Sequence, residues 1–126
     1  MSEPGGKLIK SFSNAAHGIA LLFKSQLNAR IELIIAFIVI VFGFLFKISH
    51  AEWTLILLCI ALVLALEGIN TAIEIFADKL HPGFDENIGK AKDVAAGAVL
   101  IASILAAVIG FIIFVPRILD LLLKWF

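Results

Sequence analysis

Glu67, Asn70, Glu74 and Asp78 are polar residues at the end of a long apolar run, "LALEGINTAIEIFAD", and they recur at spacings of three, four and four. On a helix turning 100° per residue they fall within an arc of about 80°, with Thr71 beside them. The chemistry open to such a face is that of hard oxygen ligands and a base. Two carboxylates with an amide between them suit Mg²⁺, which needs few protein carboxylates when phosphate oxygens and water complete its shell. Burial disfavours the charged form of a carboxyl, which suits the deeper Glu67 to proton abstraction. A second reading remains open: the same groups could only join helices through hydrogen bonds.

The next loop, "HPGFDENIGKAKDVAAGAVL", carries Lys90, Lys92 and Asp93. Lysines at the level of metal-binding carboxylates suit a polyphosphate. They also suit lipid headgroups, and a purely topological role stays open for them.

The elements that must position these residues lie in a membrane. The 126 residues are 62% hydrophobic, with mean hydropathy +1.10 and only 16% charged, outside the range of soluble globular domains. A formal net charge of zero gives no reason to expect nucleic acid. One membrane domain over residues 1–126 is expected, and its polar beginning, Met1 to Gly6, reads as a frayed terminus. Residues 7–28 place Leu8, Phe12, Ala16, Ile19, Phe23 and Leu27 at helical spacing, opposite Lys10, Asn14, His17 and Lys24. This predicts an amphipathic helix on the membrane surface, and it lacks the continuous apolar core of a cleaved signal peptide. Three spanning helices come next, at 30–49, 52–80 and 91–119, each long enough for a hydrocarbon core of roughly 30 Å. Entering at Trp53, the second puts Glu67 about 21 Å deep and Glu74 about 31 Å deep.

Basic residues set the expected orientation. Lys7, Lys10, Lys24, Arg30, Lys79, Lys90 and Lys92 fall on one side, against Lys47, Arg117 and Lys124 on the other, so the amino terminus and the second loop are cytoplasmic. Trp53 and Trp125 then sit near the outer face. Pro82 and Gly83 mark a turn, and Pro116 is expected to bend or weaken the third span. Ala61, Ala65, Gly68 and Ala72 form one ladder of small residues and Ala98, Ala102, Ala106 and Gly110 another, the pattern of close helix packing. Cys59 has no second thiol, so a disulfide or cysteine metal site is excluded. His17, His50 and His81 lie on separate segments. No phosphate-binding glycine loop or soluble kinase motif is present.

"EGINTAIEIFAD" followed by "GKAKDVAAGAV" resembles the signature of the small bacterial integral membrane diacylglycerol kinases, over about Lys7 to Leu119. "AEW" and "IGFIIFVPRI" look more like the undecaprenol kinase branch of that family. The resemblance implies an all-α integral membrane protein, a trimeric bundle whose subunits each have an amphipathic surface helix and three transmembrane helices. It implies transfer of the γ-phosphate of MgATP to the hydroxyl of a membrane lipid alcohol, diacylglycerol or undecaprenol, at the cytoplasmic face of a bacterial inner membrane. Carried over by position, Glu67 resembles the general base and Glu74 the carboxylate that binds metal and so ATP. Asn70, Lys92, Asp93 and Lys7 match residues near the nucleotide. Asn28, Arg30 and Glu32, with Glu67, fall where the family lines its lipid entrance.

One position departs from the pattern. Where the family places a second metal-binding glutamate, this sequence has Gln26, whose amide oxygen can ligate Mg²⁺ but brings no charge. The reading from a different class is therefore a non-catalytic membrane protein, either a pseudokinase or a small proton or cation pathway along the acidic stripe.

Overall fold

The computed structural model describes residues 3–126, which form four helices and no strand. Helix α1 is Pro4–Ser25, α2 is Leu27–Leu45, α3 is His50–Leu80 and α4 is Glu86–Trp125. Of the stretch expected to fray, Met1 and Ser2 lie outside the described residues, whereas Pro4, Gly5 and Gly6 already belong to α1. Pro4 occupies the first turn, where its missing N–H costs no helical bond. The three later helices are each long and apolar enough to cross a membrane.

A single residue separates α1 from α2. Gln26 is extended, at φ −110° and ψ 117°, so the chain turns there without losing its ladder. The Gln26 N–H still donates to the Leu22 carbonyl at 3.0 Å, and its own carbonyl accepts from Arg30 N at 3.3 Å. Helix α1 contributes no buried residue. It meets α3 through Leu22, which rests 3.7 Å from where a Cβ on Gly68 would lie. Of the ladder Ala61, Ala65, Gly68 and Ala72, Gly68 thus admits α1, and the three alanines are exposed.

The turn between α2 and α3 is closed by backbone bonds. Ile48 N donates to the Gly43 carbonyl and Lys47 N to the Phe44 carbonyl, at 3.2 and 3.3 Å, the Schellman pattern of a helix end. Lys47 takes the left-handed conformation, φ 50°, usually left to glycine. Ser49 then begins α3 with a capping box: its hydroxyl accepts from Glu52 N at 3.2 Å, and the Glu52 carboxylate accepts from Ser49 N at 2.8 Å. Asp85 caps α4 with its own carboxylate, accepting from Asn87 N and Ile88 N at 2.9 Å.

Helix α3 is central: it packs most extensively on α4, less on α2 and least on α1. The core sits near the α2–α3 turn, where Ile48, Ile56, Ile113 and Phe114 are buried against Phe46 and Trp53. Trp53 lies over Gly43, so that a Cβ there would stand 2.6 Å from the indole. Gly43→Ala must displace that ring or the helix, and we expect a loss of about 1–3 kcal/mol, as for other overpacked cores. Thermal unfolding in detergent, followed by Trp53 emission in a Trp125→Phe background, measures it; an unchanged midpoint would show that the contact yields freely.

Two ion pairs tie the ends of the α3–α4 hairpin. Arg117 grips Glu52 with both terminal nitrogens, at 3.0 and 2.8 Å, and Lys92 meets Asp78 at 2.9 Å. Pro116 does not end α4: the helix continues to Trp125. Proline removes the N–H that would bond the Ile112 carbonyl, and the next carbonyl, Ile113, accepts a 2.7 Å bond from the Arg117 guanidinium.

Candidate functional site

The acidic face of α3 runs from buried to exposed. Glu67, Asn70 and Thr71 retain only 2%, 7% and 4% of their surface, Glu74 is half-buried, and Asp78 is exposed. Placing these groups on one face follows from helix geometry. Their gradient of burial follows from how the other helices pack on α3.

Around this face the charges are arranged in sequence. Glu32, from α2, approaches Glu67 closely enough for their carboxylates to repel, and Glu67 in turn feels Glu74. Lys92, from α4, bonds Asp78 and also lies within the fields of Glu74 and Asp93. The site therefore has an acidic, buried end and a mixed, half-exposed end. Three acceptors within it, Glu32 Oε2, Asn70 Oδ1 and Thr71 Oγ1, are buried without a hydrogen-bond partner among the described residues. Such groups are uncommon in folded proteins and cost free energy unless another molecule or chain satisfies them.

Beside Glu32 opens an apolar trough of about 500 Å³, walled by Val39 and Phe42 of α2 and Ala106, Gly110 and Phe111 of α4, and floored by Ile60 of α3.

The remaining sequence candidates are not gathered here. Lys7 is exposed on α1, and Asn28 and Arg30 are exposed at the start of α2. Gln26 is half-buried at the α1–α2 break, and Asp93 is exposed on α4. Among the described residues no three His, Cys, Asp or Glu side chains cluster closely enough to hold a metal ion. One chain thus offers Glu74 and a few neutral oxygens, a donor set that fits a Mg²⁺ carried in by phosphate oxygens better than a resident ion caged by protein.

Sequence reasoning alone did not single out two features. The approach of Glu32 to Glu67 depends on how α2 rotates against α3, for which no local signal exists. The Asp78–Lys92 bond closes the loop between α3 and α4. Both residues were visible as charges at one membrane face, but the pairing was not.

Comparison with known proteins gives a consistent picture. The profile of the prokaryotic diacylglycerol kinase family matches residues 13–114. An undecaprenol kinase of Bacillus subtilis (strain 168) is 37% identical over 116 residues, covering 88% of this chain and 90% of that protein. A diacylglycerol kinase of Synechocystis sp. is 34% identical over 116 residues, 91% of this chain and 66% of that protein. A diacylglycerol kinase of Haemophilus influenzae is 32% identical over 108 residues, 85% and 92% of the two chains.

Proposed function

Because the chain belongs to the prokaryotic diacylglycerol kinase family, and is accordingly an ATP-dependent lipid kinase of a bacterial membrane, we propose that α3 joins its two substrates from opposite directions. The observation that carries this reading is the burial gradient: Glu67 is sealed among helices, and Glu74 and Lys92 lie toward the loop. A lipid hydroxyl reaches Glu67 from the bilayer, and MgATP reaches Glu74 from the aqueous side. Nothing favours the non-catalytic reading.

In this mechanism Glu67 accepts the hydroxyl proton as the lipid oxygen attacks the γ-phosphorus. The bond from phosphorus to the β–γ bridging oxygen breaks, ADP leaves, and the proton remains on Glu67 until it passes to solvent. Glu74, with the Gln26 amide as a second candidate ligand, would hold the Mg²⁺ that enters with ATP, and that ion would supply neutralisation of phosphate charge. Lys92 exchanges part of its bond to Asp78 for a phosphate oxygen. Asn70 and Asp93 orient the nucleotide, and Lys7 adds charge from α1. Glu32, Asn28 and Arg30 receive the lipid headgroup, and the apolar trough beside Glu32 suits its tail.

Exposed Lys7, Asn28 and Arg30 suit a homotrimer in which neighbouring chains complete each site, with α1 on the cytoplasmic surface of the membrane. The basic residues near α1 and the α3–α4 loop support that orientation. The lipid is an alcohol with a primary hydroxyl; "IGFIIFVPRI" and the undecaprenol kinase relative incline the reading toward undecaprenol over diacylglycerol.

Purified protein in bilayers, given γ-labelled ATP, Mg²⁺ and both lipids in competition, tests this. Label is expected in the lipid fraction, more in undecaprenol; label favouring diacylglycerol would reverse the substrate choice, and no label in either would overturn the mechanism. Gln26→Glu restores a charged ligand and is expected to lower the Mg²⁺ concentration needed for half-maximal rate. An unchanged requirement and rate would remove Gln26 from the metal site.

A further inference from the structure

The two ion pairs that close the α3–α4 hairpin also measure it. About 39 Å of helix separates Glu52 from Asp78 on α3, and about 38 Å separates Lys92 from Arg117 on α4, at 1.5 Å per residue. That is the thickness of a hydrocarbon core of roughly 30 Å plus part of each headgroup layer. Charged pairs at these two levels therefore mark the two membrane surfaces.

Helix α4 does not stop at the second surface. Past Arg117 it carries "ILDLLLKW" about 12 Å further. After Ile118, which still packs against the core, these residues meet little: Leu123 and Trp125 are 75% and 81% exposed. The match to the family profile ends at residue 114, before this segment begins.

The pattern of the segment indicates what covers it. Arg117, Asp120 and Lys124 share an arc of about 60°, and the apolar residues from Ile118 to Phe126 spread over about 200°. A helix seam against one partner helix needs a far narrower stripe. An apolar arc this wide, with a thin charged edge and a tryptophan beside a lysine, matches the boundary between acyl chains and headgroups. The chain is also already able to turn there. Pro116 gives no N–H to the Ile112 carbonyl, and the Arg117 side chain supplies a second donor to the Ile113 carbonyl at 2.7 Å, so a bend at this point strands little backbone.

We propose that residues 119–126 are an interfacial anchor. Beyond Pro116 the helix turns down onto the membrane surface opposite the candidate site, its apolar arc in the acyl–headgroup boundary and its charged edge toward water. The partner is the lipid surface itself, and the anchor holds the far end of the α3–α4 hairpin at a set depth.

Trp125 reports on this directly. Emission of the full chain in phosphatidylcholine vesicles, minus that of Trp125→Phe, isolates its signal without disturbing Trp53. Lipids brominated near the headgroup are expected to cause the largest loss of that signal, and aqueous acrylamide little. Quenching by acrylamide without bromine quenching would mean that the segment projects into water, and would overturn the anchor. Strongest quenching by bromines deep in the chains would overturn the register. Protection from both that grows with protein-to-lipid ratio would overturn the lipid assignment and give the face to a second copy. Pro116→Ala, which restores the bond to Ile112, is expected to reduce the shallow quenching; no change would overturn the hinge.

Discussion

Glu67→Gln is expected to lower the rate of lipid phosphorylation by about 10²- to 10⁴-fold, the range a positioned general base contributes, while leaving the helices as stable as before or more so. The two halves of this result belong together. Glu67 is nearly fully buried and stands within the fields of Glu32 and Glu74. Glu67 repels Glu32 on one side and Glu74 on the other, so an amide of the same shape relieves strain as it removes the proposed base. Sites that hold such arrangements commonly trade stability for activity. The competing account of the stripe, in which its polar groups only join helices, makes the opposite forecast: removing a helix-joining group should lower stability, and rate should fall only in proportion to the folded fraction. Single-turnover transfer from γ-labelled ATP and thermal unfolding in the same detergent separate the two. Retention of rate within a few fold would end the assignment of Glu67.

Glu74→Gln has its largest expected effect on the nucleotide side. Glu74 is half-buried, closer to the loop, and shares its surroundings with Lys92. A contact to a charged group is worth about 1.5–3 kcal/mol, so KM for MgATP is expected to rise roughly 10- to 100-fold, together with the Mg²⁺ needed for half-maximal rate. KM for the lipid alcohol should hold. Initial-rate measurements with each substrate varied in turn read these apart. A fall in kcat with KM for MgATP unchanged would mean that Glu74 acts on the transition state rather than holding the nucleotide, and the division of labour along α3 would have to be redrawn. The two variants jointly test the depth argument: the deeper residue governs the chemical step and the shallower one governs ATP.

Much of the fold was legible from residue order alone. Long uncharged runs have one stable solution in lipid, a helix that satisfies its own backbone, and so three apolar spans could be read from composition and length. The acidic face of α3 followed from helical periodicity alone, since residues at spacings of three and four must share a side. The motif residues carried the family. Pro82 and Gly83 did mark a break between helices, because neither residue suits a helix interior.

Other features were not legible, for reasons particular to each. Gln26 looked like one more residue of a surface helix, yet it is the extended link at which the chain changes direction, and nothing local distinguishes it from its neighbours. Lys47 adopts a conformation suited to glycine because closing the α2–α3 turn under Trp53 outweighs its own preference. Pro116 has the chemistry of a helix breaker, but packing of Ile113, Phe114 and Ile118 against the core carries α4 through it. Periodicity determines which side of a helix a residue occupies, because that depends only on neighbours along the chain. Only the tertiary structure decides what that side meets: that Glu67 is sealed while Asp78 is open, that Glu32 faces Glu67, and that Arg117 grips Glu52. Those outcomes depend on the rotation and depth of one helix against another, and such quantities are set by the packing of the whole bundle.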